Sequence, residues 1–124
     1  RKKWVEMPLM SGYCFVNINR KNYYRVLQTN NVVCYVTFEG KAAIIPQNQI
    51  DSLKKLTRQS EFEITVTQDN YKPGQKVEII AGPLIGLQGE LIKCQNRERF
   101  IIRIDQINTV FSVEVLAESI TALH

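Results

Sequence analysis

The chain has 124 residues and a mass of 14.3 kDa, 44% of them hydrophobic and 23% charged, with six glycines and four prolines. That composition excludes a collagen-like, low-complexity or wholly disordered chain, and no apolar run approaches the roughly 18 residues a membrane helix needs. The charge is uneven: residues 1–57 carry nine Lys/Arg against three acids, a net of +6, while residues 58–124 carry seven against nine, a net of −2. Such a split points to two units with different partners, the first of them suited to nucleic acid.

The opening Arg1-Lys2-Lys3-Trp4 has no initiator Met and no apolar stretch behind its basic residues, so it is not a signal peptide and reads as the middle of a longer chain. Residues 12–18, Gly-Tyr-Cys-Phe-Val-Asn-Ile, are rich in β-branched and aromatic side chains and predict a strand. Asn19 is placed to cap a short helix over about 20–29, where Tyr23, Val26 and Leu27 recur at helical spacing. Asn30-Asn31 is a turn, and residues 32–38 predict a second strand ended by Gly40. After Pro46, residues 47–57 put Ile50, Leu53 and Leu56 on one helical face.

From 58 to 71 the chain turns polar, with Phe62, Ile64 and Val66 alternating in its middle, which predicts a short strand interrupting the linker, and the expected domain boundary lies here. Beyond Lys72-Pro73-Gly74 the period becomes that of strands. Residues 77–80, 89–92, 99–104 and 110–115 are four candidates, separated by turn signals at Gly82-Pro83, Gln95-Asn96-Arg97 and Gln106-Ile107-Asn108. Short strands so closely spaced predict a small barrel, because closure removes exposed edges.

Catalytic chemistry is thinly represented. Cys14, Cys34 and Cys94 are far apart and form no CxxC pair, which removes the zinc signature and fits a reducing cytoplasm. The single histidine is the last residue, His124, so a Ser–His or Cys–His dyad would need a base held at a chain end. Glu61/Glu63 and Glu114/Glu118 read as solvated charge. The expectation is a protein that is not an enzyme and uses neither metal nor cofactor.

Residues 73–91, Pro-Gly-Gln-Lys-Val-Glu-Ile-Ile-Ala-Gly-Pro-Leu-Ile-Gly-Leu-Gln-Gly-Glu-Leu, closely resemble the KOW motif. Lys2-Lys3-Trp4 with residues 8–16, Pro-Leu-Met-Ser-Gly-Tyr-Cys-Phe-Val, and then residues 36–46 with Gln49-Ile50, are similar to stretches of the N-terminal (NGN) domain of NusG-type transcription factors. In the details of Phe38-Glu39-Gly40 and of the KOW segment the chain looks most like UpxY, the antiterminators of capsular polysaccharide operons in Bacteroidetes. Ser11 stands where the family usually has Pro, and the family's first strand and first helix have no counterpart here.

The resemblance implies an α+β chain: an N-terminally truncated NGN α/β domain over 1–57, a linker over 58–71, and a five-stranded SH3-like KOW β-barrel over 72–120. It implies a cytoplasmic, non-enzymatic elongation or antitermination factor acting on polysaccharide operons. Met10, Tyr13 and Phe15 would contact the RNA polymerase clamp helices. Arg1, Lys2 and Lys3 would lie on non-template or upstream DNA, with Arg20, Lys21 and Arg25 as weaker candidates. Leu84 and Ile85, read as an exposed apolar pair on a turn, would bind a second partner such as ribosomal protein S10 or a termination factor. The shortened first domain would leave apolar surface or an unpaired edge open to a strand-exchanged dimer. The competing readings are a ribosomal or general RNA-binding KOW protein, which the −2 of the second half opposes, and an enzyme using a reactive cysteine.

Overall fold

The structure is a computed structural model that describes residues 9–59, 62–68 and 71–124. It is of the mixed α+β class, with two helices and eight strands in two antiparallel sheets among the described residues, and it divides into two compact units between Ala43 and Ile44.

In the first unit the helical expectation over 20–29 resolves into a 3-10 turn, Arg20–Asn22, running into α1, Tyr23–Leu27. Asn19 caps it as the sequence implies, its side-chain carbonyl accepting from the Lys21 amide at 3.1 Å. The two expected strands are largely absent. Only β1, Thr37–Phe38, and β2, Lys41–Ala42, pair, around a two-residue turn in which Glu39 (φ 53°) and Gly40 (φ 79°) both take positive φ. The Ala43 amide extends this hairpin by donating to the Val36 carbonyl at 2.8 Å. Residues 13–18 and 33–35 are irregular despite their β-rich composition, because propensity makes a strand only where a neighbour completes the ladder, and among the described residues they have none. No described residue of this unit is buried.

The second unit holds the core. Its helix α2, Gln47–Thr57, has the predicted bounds, with Leu53 and Leu56 buried and Ile50 half-buried. Gln47 donates to Asp51 at 2.9 Å one turn on, and Lys54 and Lys55 complement the negative end of the helix dipole. The strands are β3 Thr65–Gln68, β4 Gln75–Ile79, β5 Gln88–Cys94, β6 Arg97–Ile104, β7 Thr109–Glu114 and β8 Ile120–Ala122. They pair antiparallel in the order β3-β7-β6-β5-β4-β8.

One expectation is corrected here. In place of the expected five-stranded closed barrel, the described residues form a six-stranded sheet with no closed barrel, since among them no ladder joins β3 to β8. The short strand expected within the 58–71 stretch is present: Val66 belongs to β3, paired residue for residue with β7 (Val66 opposite Phe111). Helix α2 lies in the same compact unit as the sheet, and its Gln49 Nε2 donates to the Arg103 carbonyl on β6 at 3.0 Å.

Thr109 to Val113 are all buried, so side chains that alternate between the two faces of β7 are covered on both. Phe100, Phe111, Ile79, Leu84 and Ile104 are the large members of this core. Gly89 on β5 lies so close to β6 that a Cβ there would stand 2.7 Å from the Phe100 ring and nearer still to the Ile101 carbonyl. The β5–β6 hairpin turns through Gln95 (φ 53°) and Asn96 (φ 65°), the pair of positive-φ residues that matches strand twist.

Candidate functional site

The KOW-like segment begins with a polar clamp. Arg103 on β6 grips Glu90 on β5 with two nitrogens, Nε to Oε2 at 2.9 Å and Nη2 to Oε1 at 3.2 Å, and donates through Nη1 to the Tyr71 carbonyl at 3.0 Å. Glu90 Oε1 also accepts from the Gly74 amide at 2.9 Å. This half-buried bidentate pair fixes the chain as it enters β4. Beside it a shallow recess of about 240 Å³ is lined by residues including Gln49, Lys76 and Glu90.

After β4 the chain makes the turn that the motif's glycines predict. Gly86 sits at φ +92°, a region L side chains avoid, and its amide donates to the Ile79 carbonyl at 2.8 Å, closing the loop on the strand it left. The expected exposed pair divides at this turn. Leu84 is 1% exposed and belongs to the core, whereas Ile85 is 54% exposed. The Lys55 ammonium of α2 donates to the Ile85 carbonyl and so holds the turn from the helix side. Ile80 and Leu116 are also exposed near this end of the sheet: the Ile80 amide donates to the Ser119 carbonyl at 2.8 Å, and the Ser119 amide to that of Leu116 at 2.9 Å. Ile85 is the prominent apolar side chain of the turn itself.

In the first unit Met10 is half-buried, Tyr13 is 62% exposed and Phe15 42% exposed. The Tyr13 amide donates to the Met10 carbonyl at 3.2 Å across a turn whose third residue, Gly12, has φ +78°. Met10 and Tyr13 thus flank one turn, with Phe15 two residues beyond. Arg1, Lys2 and Lys3 lie outside the described residues.

An aromatic cluster in this unit escaped the sequence reading. Tyr23 stacks on Tyr35 with ring centroids 4.4 Å apart and planes 18° from parallel, and meets Tyr24 edge-on at 5.2 Å and 82°. The Tyr35 hydroxyl donates to the Tyr23 carbonyl at 2.8 Å. Desolvation, with the neighbouring Tyr23 adding to it, raises the Tyr35 phenol above its ordinary value, so it remains a donor into the alkaline range. The signal was present as adjacent tyrosines among Arg20, Lys21 and Arg25, but the third ring is twelve residues away and no local period reveals it.

On the outer strands Arg99 of β6 reaches across β7 to β3, donating to Ser112 Oγ at 3.1 Å and Thr65 Oγ1 at 3.2 Å. Glu114 accepts from Arg97 at 2.8 Å, and that hydrogen bond first, then the guanidinium charge, holds its carboxyl below the usual range. Glu114 is therefore an ion-paired surface group. Among the described residues no three His, Cys, Asp or Glu side chains gather as a metal site would require, and no helix is long and apolar enough to cross a membrane.

Comparison of the chain with family models, with curated proteins and with solved structures gave no match. Its functional reading rests on its own residues and their geometry.

Proposed function

We propose that the chain is a non-enzymatic, cytoplasmic transcription elongation or antitermination factor of the NusG type, most like the UpxY antiterminators of polysaccharide operons. Its first unit engages the clamp helices of RNA polymerase through Met10 and Tyr13 at their turn and Phe15 just beyond it. Arg1, Lys2 and Lys3 contact upstream or non-template DNA. Its second unit recruits another protein, such as ribosomal protein S10, through the turn after β4.

The observation that carries the reading is the KOW-like segment 73–91, whose strand–turn–strand geometry offers one apolar side chain, Ile85, on a turn anchored from within by Leu84. A small apolar anchor on a fixed turn suits a protein contact, because little ordering entropy remains to be lost on binding. The exposure of Tyr13 and Phe15 supports the polymerase contact in the same way, since aromatic side chains supply most of the energy at such interfaces.

The test is transcription in vitro with purified polymerase and the 124-residue protein. Increased read-through of a terminator, lost on Tyr13→Ala with Phe15→Ala, is the expected result. A protein that neither binds polymerase nor changes pausing or read-through refutes the proposal.

A further inference from the structure

The sheet has an open edge away from its outer strands, where β4 stops short of β5. Their last paired residues at this end are Gln75 and Leu91, whereas β5 runs on to Cys94, with Ile92, Lys93 and Cys94 paired to β6 alone. Continuing the register puts Pro73 opposite Lys93, and a proline has no N–H to donate to the carbonyl it would face. The Ile79 amide donates to the Leu87 carbonyl at 2.9 Å, so alternate residues of β5 counted from Leu87, Lys93 among them, turn their backbone groups to the β4 side. Among the described residues no backbone hydrogen bond meets those of Lys93 there.

A recess of about 260 Å³ lies at this gap, lined by the chain from Tyr71 to Gly74 and by Leu91, Ile92 and Lys93. Its rim is fixed. Arg103 donates to the Tyr71 carbonyl at 3.0 Å and the Lys72 carbonyl at 3.4 Å, the Gly74 amide donates to Glu90, and Tyr71 packs against buried Ile92. A site already held in place costs little ordering entropy to occupy. Lys72 and Lys93 are exposed, and among the described residues no ion pair engages either, although Glu98 stands opposite Lys93 on β6.

Each feature asks for a different part of one ligand. Unused backbone groups on a strand edge are complemented by the backbone of an extended peptide, a small recess by one side chain, and two unpaired ammonium groups by carboxylates. A nucleic acid offers no matching backbone, and residues 58–124, with a net charge of −2, oppose a long polyanion. We propose that an extended acidic segment of another protein adds to β5 over Ile92–Cys94, with an apolar side chain in the recess and carboxylates on Lys72 and Lys93. The site lies at the opposite end of β4 from the Ile85 turn, and it depends on neither that turn nor the polymerase contact.

Titration of the isotope-labelled full chain with the peptide Gly-Glu-Thr-Leu-Thr-Glu-Gly, followed by amide NMR, tests it. Strand alternation puts the leucine and both glutamates of this peptide on one side. Shifts centre on the amides of Lys72, Gly74 and Ile92 to Cys94, and hydrogen exchange of the Lys93 amide slows in the complex. Glycine in place of the peptide's leucine weakens binding about 10-fold, the lower end for burying such a side chain. Lys72→Gln and Lys93→Gln each weaken it about 1.5- to 5-fold, the range for an exposed ion pair, and Lys72→Glu together with Lys93→Glu abolishes it. Unchanged far-ultraviolet circular dichroism of these variants separates lost contact from lost fold, and Ile85→Ala binds the peptide as wild type. The proposal is overturned if 2 mM peptide shifts none of these amides, or if a peptide with lysine in place of both glutamates binds as tightly. It is equally overturned if the double charge reversal binds as wild type, or if oligo(rU) shifts the same amides at lower concentration than the peptide does.

Discussion

Replacing Leu84 and Ile85 one at a time by alanine separates the two jobs of the turn after β4. Leu84 is 1% exposed, and truncating a buried leucine costs about 2–5 kcal/mol through lost transfer energy and the cavity left behind. A central value of about 3 kcal/mol lowers the midpoint of thermal unfolding by about 12–24 °C for a unit of this size. Ile85 still shows 54% of its surface, so less than half of the roughly 1.5–3 kcal/mol for burying such a side chain is at stake. Its truncation therefore costs about 1.4 kcal/mol at most, a shift of no more than about 11 °C. Thermal melts followed by circular dichroism, with urea titrations beside them, read both. Capture of the second partner then behaves oppositely: Ile85→Ala stays folded and loses it. Equal destabilisation by the two substitutions, or a larger effect at Ile85, refutes the division of the turn into an inward anchor and an outward contact.

Three further outcomes follow from the geometry. Gly89→Ala destabilises the second unit by about 3 kcal/mol, the upper end for overpacking, because the new methyl meets the Ile101 carbonyl and the buried Phe100 ring; an equilibrium urea titration measures it. Glu114 titrates below an ordinary glutamate because of Arg97, so its contribution is present above the unfolded-state value and lost as pH falls through the depressed one. Carboxyl NMR titration locates that midpoint, and Arg97→Gln moves it up. Tyr35 titrates above about 10, so the stability it contributes is present below that pH and lost as pH rises through its elevated value. Absorbance at alkaline pH loses that late component in Tyr35→Phe.

Local signals in the sequence located local structure. The Ile50, Leu53 and Leu56 spacing defines α2 to the residue, and Gln95-Asn96 marks the hairpin between β5 and β6, since both depend on neighbours in the chain. Pairings distant in sequence were not legible. The stitch from Arg99 to Thr65 spans 34 residues: the alternation around Val66 marks a short strand but not that its partner is β7. The same limit explains residues 12–18 and 32–36, where composition favours strands but a strand needs a partner. At the candidate site, composition placed Leu84 and Ile85 on a turn, while which of two similar side chains faces inward is decided by Gly86 and the return hydrogen bond to Ile79. The tyrosine cluster depends on a contact between Tyr23 and Tyr35 that neither periodicity nor spacing encodes.

The pairing of β3 with β7 bears on how the second unit can be separated from the rest of the chain. A piece beginning at residue 72 removes β3 and leaves β7 as the rim, a strand whose side chains from Thr109 to Val113 are all buried in the whole unit. Its freed amides and carbonyls would offer a template for another chain, with apolar side chains on both faces and no charged residue before Glu114 to discourage pairing. A self-contained piece therefore keeps β3, Thr65–Gln68, and with it the cover on an edge otherwise open to self-assembly.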